Sequence, residues 1–255
     1  MRLSQGQLTL LETCPRKFQQ IYLDQLMSPA PMEQWERSVW GSRFHLLMQQ
    51  RELGLPAPPY DLGEVALQQS IEAFVKTAPE VFQRESTLFR QSEHRRSMEL
   101  EGHLLTVVYD LLILEADRAE ILDWKTYPRP QASRWLRESW QSQLYPFVLA
   151  ETSDYEPAQI TMTYWFVQSA PETPPEKLML PGDRPQHEQI RQRLTHLLRQ
   201  LNTWLADYQA GIPFPQVNPD SPLCPSCAFA VRCQRDSMVR SPQLSEVAAI
   251  QEVEL

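Results

Sequence analysis

The sequence predicts a mixed α/β protein in one domain, with a mixed sheet core flanked by helices and built in the order helix, sheet, helix. Three observations lead there. Apolar residues recur at helical spacing through roughly the first ninety residues. From Ser97 to Thr126 the chain turns to β-branched and aliphatic runs, SMELEGHLLTVVYDLLILEADRAEILDWKT. These runs break at Glu101-Gly102 and between Glu115 and Glu120, as successive buried strands require. From about Asp183 to Ala210 an amphipathic pattern returns, with Ile190, Leu194, Leu197, Leu198, Leu201 and Leu205 in register and Gly211 placed to end it.

Taken in order, residues 4–26 read as two helical pieces. Ser4 and Gln7 match a capping box, and Leu8, Leu11, Phe18, Ile21 and Tyr22 follow the helical period. Pro15 ends the first piece and suits the first turn of the second. A helix from about Gln34 to Arg51 carries Trp40 and His45. Another over 62–77 sets Leu67, Ile71 and Phe74 on one side. Residues 131–151 return to helical spacing with Leu136, Trp140 and Leu144, and Pro146 is expected to kink or shorten that helix. TMTYWFVQ at 161–168 reads as a further strand. The expected organisation is a single domain over 1–235: a helical part at 1–95, a sheet core with the active site at 96–180, and a helix with a cysteine segment at 183–235. An acidic tail follows at 236–255.

Composition narrows the function. With 255 residues the chain can bury a substantial core. No glycine-rich phosphate loop is visible among its 7 glycines. The formal net charge of −8 weighs against a polyanionic partner on average. The basic residues are nevertheless clumped, for example Arg129, Arg134 and Arg137, a pattern that a solvated face also gives. The start of the sequence lacks the pattern of a secretory signal, and no run approaches the roughly 18 apolar residues of a membrane span. The expectation is a soluble, cytoplasmic protein, in which C-x2-C binds metal or reacts rather than forming a structural disulfide. The 4 cysteines are Cys14 and the compact trio Cys224, Cys227 and Cys233. Coordination by four thiolates suits zinc or an iron–sulfur cluster, and spacing alone leaves both open.

The chemistry sits in ILDWKT. Asp123 and Lys125, two apart on a strand, point to the same side, and Asp110 ends the preceding strand run. Two carboxylates beside a lysine are what metal-assisted phosphodiester hydrolysis needs: acids to hold Mg²⁺ or Mn²⁺, and a cation to orient the attacking water. Alone, Asp-x-Lys also reads as an exposed edge pair.

The order Gly41…His45, Asp110, Asp123-Trp124-Lys125, Gln141…Tyr145, with Cys14 in CPRKF and the trailing C-x2-C-x5-C, resembles the RecB-like branch of the PD-(D/E)xK nuclease superfamily, including its CRISPR-adaptation members. The resemblance spans about Ser4 to Cys233. It implies a restriction-endonuclease-like sheet core, with the N- and C-terminal segments joined by a 4Fe–4S cluster on Cys14, Cys224, Cys227 and Cys233. It implies metal ligands at His45, Asp110, Asp123 and the backbone carbonyl of Trp124, with the histidine favouring Mn²⁺ over Mg²⁺. Lys125 would position the water, and Gln141 and Tyr145, on one helix face, would orient the site or meet the substrate strand. Arg134 and Arg137 are expected phosphate contacts from their charge and position. This chain departs from the family at Val107-Val108-Tyr109, where a glycine often precedes the strand acid, and at Pro146 directly after Tyr145. The implied function is a metal-dependent deoxyribonuclease, an exonuclease on single-stranded DNA in repair, recombination or CRISPR adaptation, with a helicase or CRISPR-adaptation protein as partner. A non-catalytic DNA-binding or scaffold subunit of a helicase–nuclease complex is the alternative, and a zinc-stapled hydrolase acting on RNA is a further one.

Overall fold

A computed structural model describes residues 1–26, 32–55, 65–83, 87–131, 134–168 and 173–235. The acidic tail expected over 236–255 lies outside them. The chain divides into two units, one of Met1–Thr9 and Pro29–Thr203, the other of Leu10–Ser28 and Trp204–Leu255. No described helix is long and apolar enough to cross a membrane.

The first unit is a six-stranded mixed sheet with helices on its two faces. The strands are β1 (Arg2–Leu3), β2 (Phe89–Leu100), β3 (His103–Leu114), β4 (Ala119–Lys125), β5 (Ile160–Phe166) and β6 (Glu176–Pro181). The order is β1-β3-β4-β5-β6, with β2 along the other edge of β3. β1 and β4 meet β3 at opposite ends, opposite residues 104–105 and 111–114 respectively. β4 runs parallel to β5; the β2–β3, β3–β4 and β5–β6 pairs are antiparallel.

The β2–β3 hairpin turns at Glu101 and Gly102, both with positive φ (49° and 77°), the backbone that matches the twist of paired strands. β2 begins at Phe89, earlier than the sequence pattern placed the sheet. FRQSEHRRSMEL is a charged edge strand, half-exposed along most of its length. Charges on edge strands discourage pairing with other chains, and they also hide the strand from a search for β-branched runs. The short β1 and the edge strand β6 were not read from the sequence either.

Helices α3 (Met32–Glu52), α4 (Val65–Thr77) and α5 (Pro79–Phe82) cover one face of the sheet. There Phe44, Met48, Ile71, Phe74 and Val81 pack with Leu111, Ile113, Leu122, Trp124 and Trp165. The other face carries α7 (Trp140–Glu151), preceded by α6 (Arg134–Glu138). These two replace the single helix expected over 131–151, because Ser139 takes an extended backbone and its hydroxyl accepts the Ser142 N–H at 3.3 Å. Pro146 neither kinks the chain out nor ends α7, which continues to Glu151. Leu144, Tyr145, Phe147, Val148 and Leu149 around it are all buried, and that packing outweighs the lost hydrogen bond. The long α8 (Arg184–Gln209) closes with the Gly211 backbone at φ 85° and Ile212 N–H on Asp207 O at 2.9 Å, a left-handed C-terminal cap.

The second unit contains little regular structure. It includes the end of α1 (Gln5–Thr13), then α2 (Pro15–Phe18), which starts on the expected proline, and a π-helical turn over Gln19–Leu23. Arg16 donates to Phe214 O at 2.6 Å, and Phe18 stacks on Phe214 with ring centroids 6.3 Å apart. From Ile212 to Arg235 the chain forms turns, with no helix or strand.

Candidate active site

The cluster forms where regular pairing lapses. Pairing of β2 with β3 is continuous except at Glu93, the residue facing Asp110 in register. Glu93 has φ 50°, a left-handed conformation that few non-glycine residues adopt. Side-chain alternation also breaks there. Leu111 and Ile113 face the α3/α4 core, while Tyr109, two residues before Leu111, donates its hydroxyl to Tyr145 O of α7 at 3.0 Å. The β3–β4 ladder stops at Leu111 and Leu122. Beyond it the Asp110 carboxylate takes over, accepting the Trp124 N–H at 2.7 Å. Asp110 thus sits at the mouth of two diverging strands, with its second oxygen 3.3 Å from His45 Nδ1.

His45 reaches this point because α3 passes close to the end of β4. A Cβ on Gly41 would lie 3.0 Å from Thr126 Oγ1, tighter than most such contacts. The glycine lets the helix approach, and His45 follows one turn later on the same face. This gives the Gly-x-x-x-His spacing a physical cause.

Asp123 and Lys125 point together toward α7, while Trp124 between them is buried in the α3/α4 cluster. Asp123 is 3% exposed. Its Oδ2 accepts Gln141 Nε2 at 2.5 Å, and Lys125 Nζ lies 2.6 Å from Oδ1. That contact pairs the buried Oδ1 with the ammonium. Burial, then the charge of Asp110, pushes the Asp123 carboxyl up to about 7 against the opposing pull of Lys125. Lys125 donates to Gln141 Oε1 at 2.8 Å and lies over the Tyr164 ring. Burial lowers its pKa, but the Asp123 carboxylate more than compensates, so the ammonium is held above its ordinary value. For His45, burial is likewise outweighed by Asp110, Asp123 and Glu93, and its pKa rises.

Glu93 is the residue that the sequence reading missed. One ligand atom each from His45, Glu93 and Asp110 fall within 4.8 Å of one another, a grouping that can hold a cation. Burial and the Asp110 charge raise the Glu93 carboxyl, and His45 opposes them. Its sequence signal is faint: an acid in a charged edge strand, recognisable only from its register opposite Asp110.

Gln141 therefore lies inside the cluster, bridging Asp123 and Lys125. Tyr145 lies behind it, 4% exposed, with its phenol in hydrogen-bond contact with Gln141 and the Val108 backbone. Arg134 is exposed and tied to Glu138 at 2.7 Å, and Arg137 is exposed on the same short helix. Neither arginine joins the carboxylate cluster.

All four cysteines are free thiols in the second unit, where they line one cavity of ≈ 170 Å³. No three of their sulfurs lie within 4.8 Å of one another, whereas a single tetrahedral zinc needs sulfurs about 3.8 Å apart. Two sulfurs are in contact with N–H donors: Cys227 with the Phe229 amide at 3.4 Å and Cys233 with Gln20 Nε2 at 3.6 Å.

A lysine paired with a buried strand aspartate, a second strand acid at the splayed ladder and a histidine from the covering helix are groups that metal-assisted phosphodiester hydrolysis can use. The chain belongs to the PD-(D/E)XK nuclease superfamily, whose family model matches residues 2–234. Among solved structures, it is similar to a candidate exonuclease from Eubacterium rectale. The TM-score is 0.59 and the identity 9%, over 98% of this chain and 94% of that one. The structure named SSO0001 aligns over 91% of this chain and 85% of its own, with 12% identity and a TM-score of 0.36. No curated protein sequence matches this chain.

Proposed function

We propose that this nuclease is a metal-dependent deoxyribonuclease that degrades single-stranded DNA from an end. The observation that carries the reading is the buried Asp123 carboxylate, paired with Lys125, beside the His45–Glu93–Asp110 group, a donor set that fits a divalent cation. His45, Glu93, Asp110 and Asp123 would hold Mn²⁺ or Mg²⁺, with the Trp124 carbonyl as a further oxygen. When bound, such an ion polarises the scissile phosphate and makes a water nucleophilic near neutral pH.

The remaining work falls to the chain's own side chains. Lys125, held charged by Asp123, is placed to orient the attacking water and to stabilise negative charge on the phosphate. Gln141 fixes the lysine and the aspartate relative to each other, and Tyr145 fixes Gln141 from behind. Arg134 and Arg137 are free of the carboxylate cluster and suit the strand's phosphates. The net charge of −8 disfavours tight binding of a duplex by the chain alone, which supports a partner that supplies single strands, such as a helicase or a CRISPR-adaptation protein.

The reading extends to a 4Fe–4S cluster in the second unit. Its basis is four free thiols lining a common cavity, with N–H donors on two of the sulfurs, a donor set that a polynuclear centre uses.

The deciding experiment uses protein purified without oxygen. Linear and circular single-stranded DNA are offered with Mn²⁺, Mg²⁺ or chelator, with Asp123→Ala as control. Loss of the linear strand alone, dependent on metal and absent in the variant, is expected. Cutting of the circle makes the protein an endonuclease. No cutting by metal-loaded protein turns the reading to a non-catalytic DNA-binding subunit.

A further inference from the structure

The π-helical turn at Gln19–Leu23 sets two successive glutamines inward, Gln19 at 7% exposure and Gln20 at 4%. Successive polar residues both buried at a helical turn need partners for two amides. The two side chains are used differently. Gln19 is satisfied at both ends: its Oε1 accepts the Phe214 N–H at 2.7 Å and its Nε2 donates to Asp24 at 3.1 Å. That is structural work, tying the turn to the returning chain. Gln20 lines the cysteine cavity. Its Nε2 lies 3.6 Å from Cys233 Sγ, and its Oε1 is buried with no partner. Among the described residues, the one partner its buried amide has is thus a cysteine sulfur.

We infer that Gln20 is a positioning residue for the metal centre: its amide N–H donates to the Cys233 thiolate, holds that ligand in place and sets the centre's reduction potential. This rests on the proposed cluster. A hydrogen bond to a ligating sulfur draws electron density from the thiolate, and potentials of such centres respond to that. A thiolate accepts this bond better than a thiol does, so the contact strengthens when Cys233 ligates. Cys233 is the last of the four cysteines, and its own N–H donates to Phe229 O at 3.0 Å. A side-chain donor from a segment more than two hundred residues earlier would restrain it there, as the Phe229 amide restrains Cys227.

The test compares the wild-type chain, Gln20→Leu and Gln20→Met, all loaded anaerobically with iron and sulfide. Three quantities are read: iron and sulfide per chain, the midpoint potential by redox titration, and the rate of bleaching of visible absorption in air. Both variants are expected to carry wild-type iron and sulfide, with a more negative potential and faster bleaching. Methionine fills the glutamine's space without a donor, so it keeps the test decisive should the leucine variant fail to fold. Potentials and bleaching rates equal to wild type overturn the assignment of Gln20 and leave the cluster standing. A wild-type chain that takes up no iron or sulfide overturns the cluster and this inference together.

Discussion

Asp110 sits where the ladders of β3 lapse and Asp123 is paired with β5, both within a sheet packed between two layers of helices, and His45 comes from a helix of five turns or more. The four cysteines stand at the start of a one-turn helix and in a run of turns with no strand or helix after Gly211. In the first region a large core sets the geometry, and Lys125, Asp123 and Gln141 are held in direct contact with one another. Among the described residues of the second unit the buried hydrophobics are few: Leu11, Phe18, Phe214, Phe229 and Ala230. A body that small gains most of its order from a cross-link or a metal. Polar groups in the first region rest on that large core, whereas those in the second have far fewer buried side chains behind them.

Substitutions at equivalent points of the two regions sharpen this contrast. The largest effect falls on activity in the first region. Asp123→Asn keeps the shape of the buried group and should lower metal-dependent cleavage by at least about 100-fold, with the melting curve little changed. A melt that collapses with activity would show that the site is held by its charges rather than by the core. Cys14→Ser should do the reverse in kind, removing bound iron and lowering the melting temperature by roughly 5 °C or more. An unaltered melt in a variant lacking iron would mean that the second unit is ordered without its metal.

Glu93 lies between these extremes. Glu93→Gln should weaken Mn²⁺ binding about 10–100-fold by calorimetry and leave the fold intact. Glu93→Gly should lose the same affinity yet gain about 1 kcal/mol in stability, because glycine accepts the positive φ at no steric cost. A glycine variant no more stable than the glutamine one would show that the backbone there is unstrained. The smallest effect is expected far from either site. Burial raises the Glu151 carboxyl, but hydrogen bonds and charge from Arg191 and His187 prevail, so its folded pKa is depressed. Its contribution, of order 0.5 kcal/mol, is present above the unfolded carboxylate pKa and lost as pH falls through the lower folded value. Glu151→Gln should therefore lower the melting temperature near pH 6 and leave it unchanged at strongly acid pH.

Legibility in the sequence followed the same division. The helices with apolar stripes and the central strands β3, β4 and β5 were readable, because burial demands apolar residues at fixed spacing. His45, Asp110, Asp123, Lys125 and Gln141 were found from motif order, and the structure brings these five together. What stayed hidden was set by pairing rather than burial. β2 is a charged edge strand, β1 has two residues, and Glu93 enters the site only because its register faces Asp110. The uninterrupted apolar run around Asp110 conceals a reversal of faces that no period-two pattern could reveal.

The close pass of α3 over the end of β4 has a consequence for relatives of this chain. The space at that crossing is a single volume divided between position 41 and position 126, and here the strand's threonine takes nearly all of it. A methyl gained at Gly41 would press on the Thr126 hydroxyl, so the side chain at 126 must give or shrink if α3 is to stay where it sets His45 beside Asp110. Across divergent sequences the two positions are expected to trade size, large for small, although neither touches the chemistry.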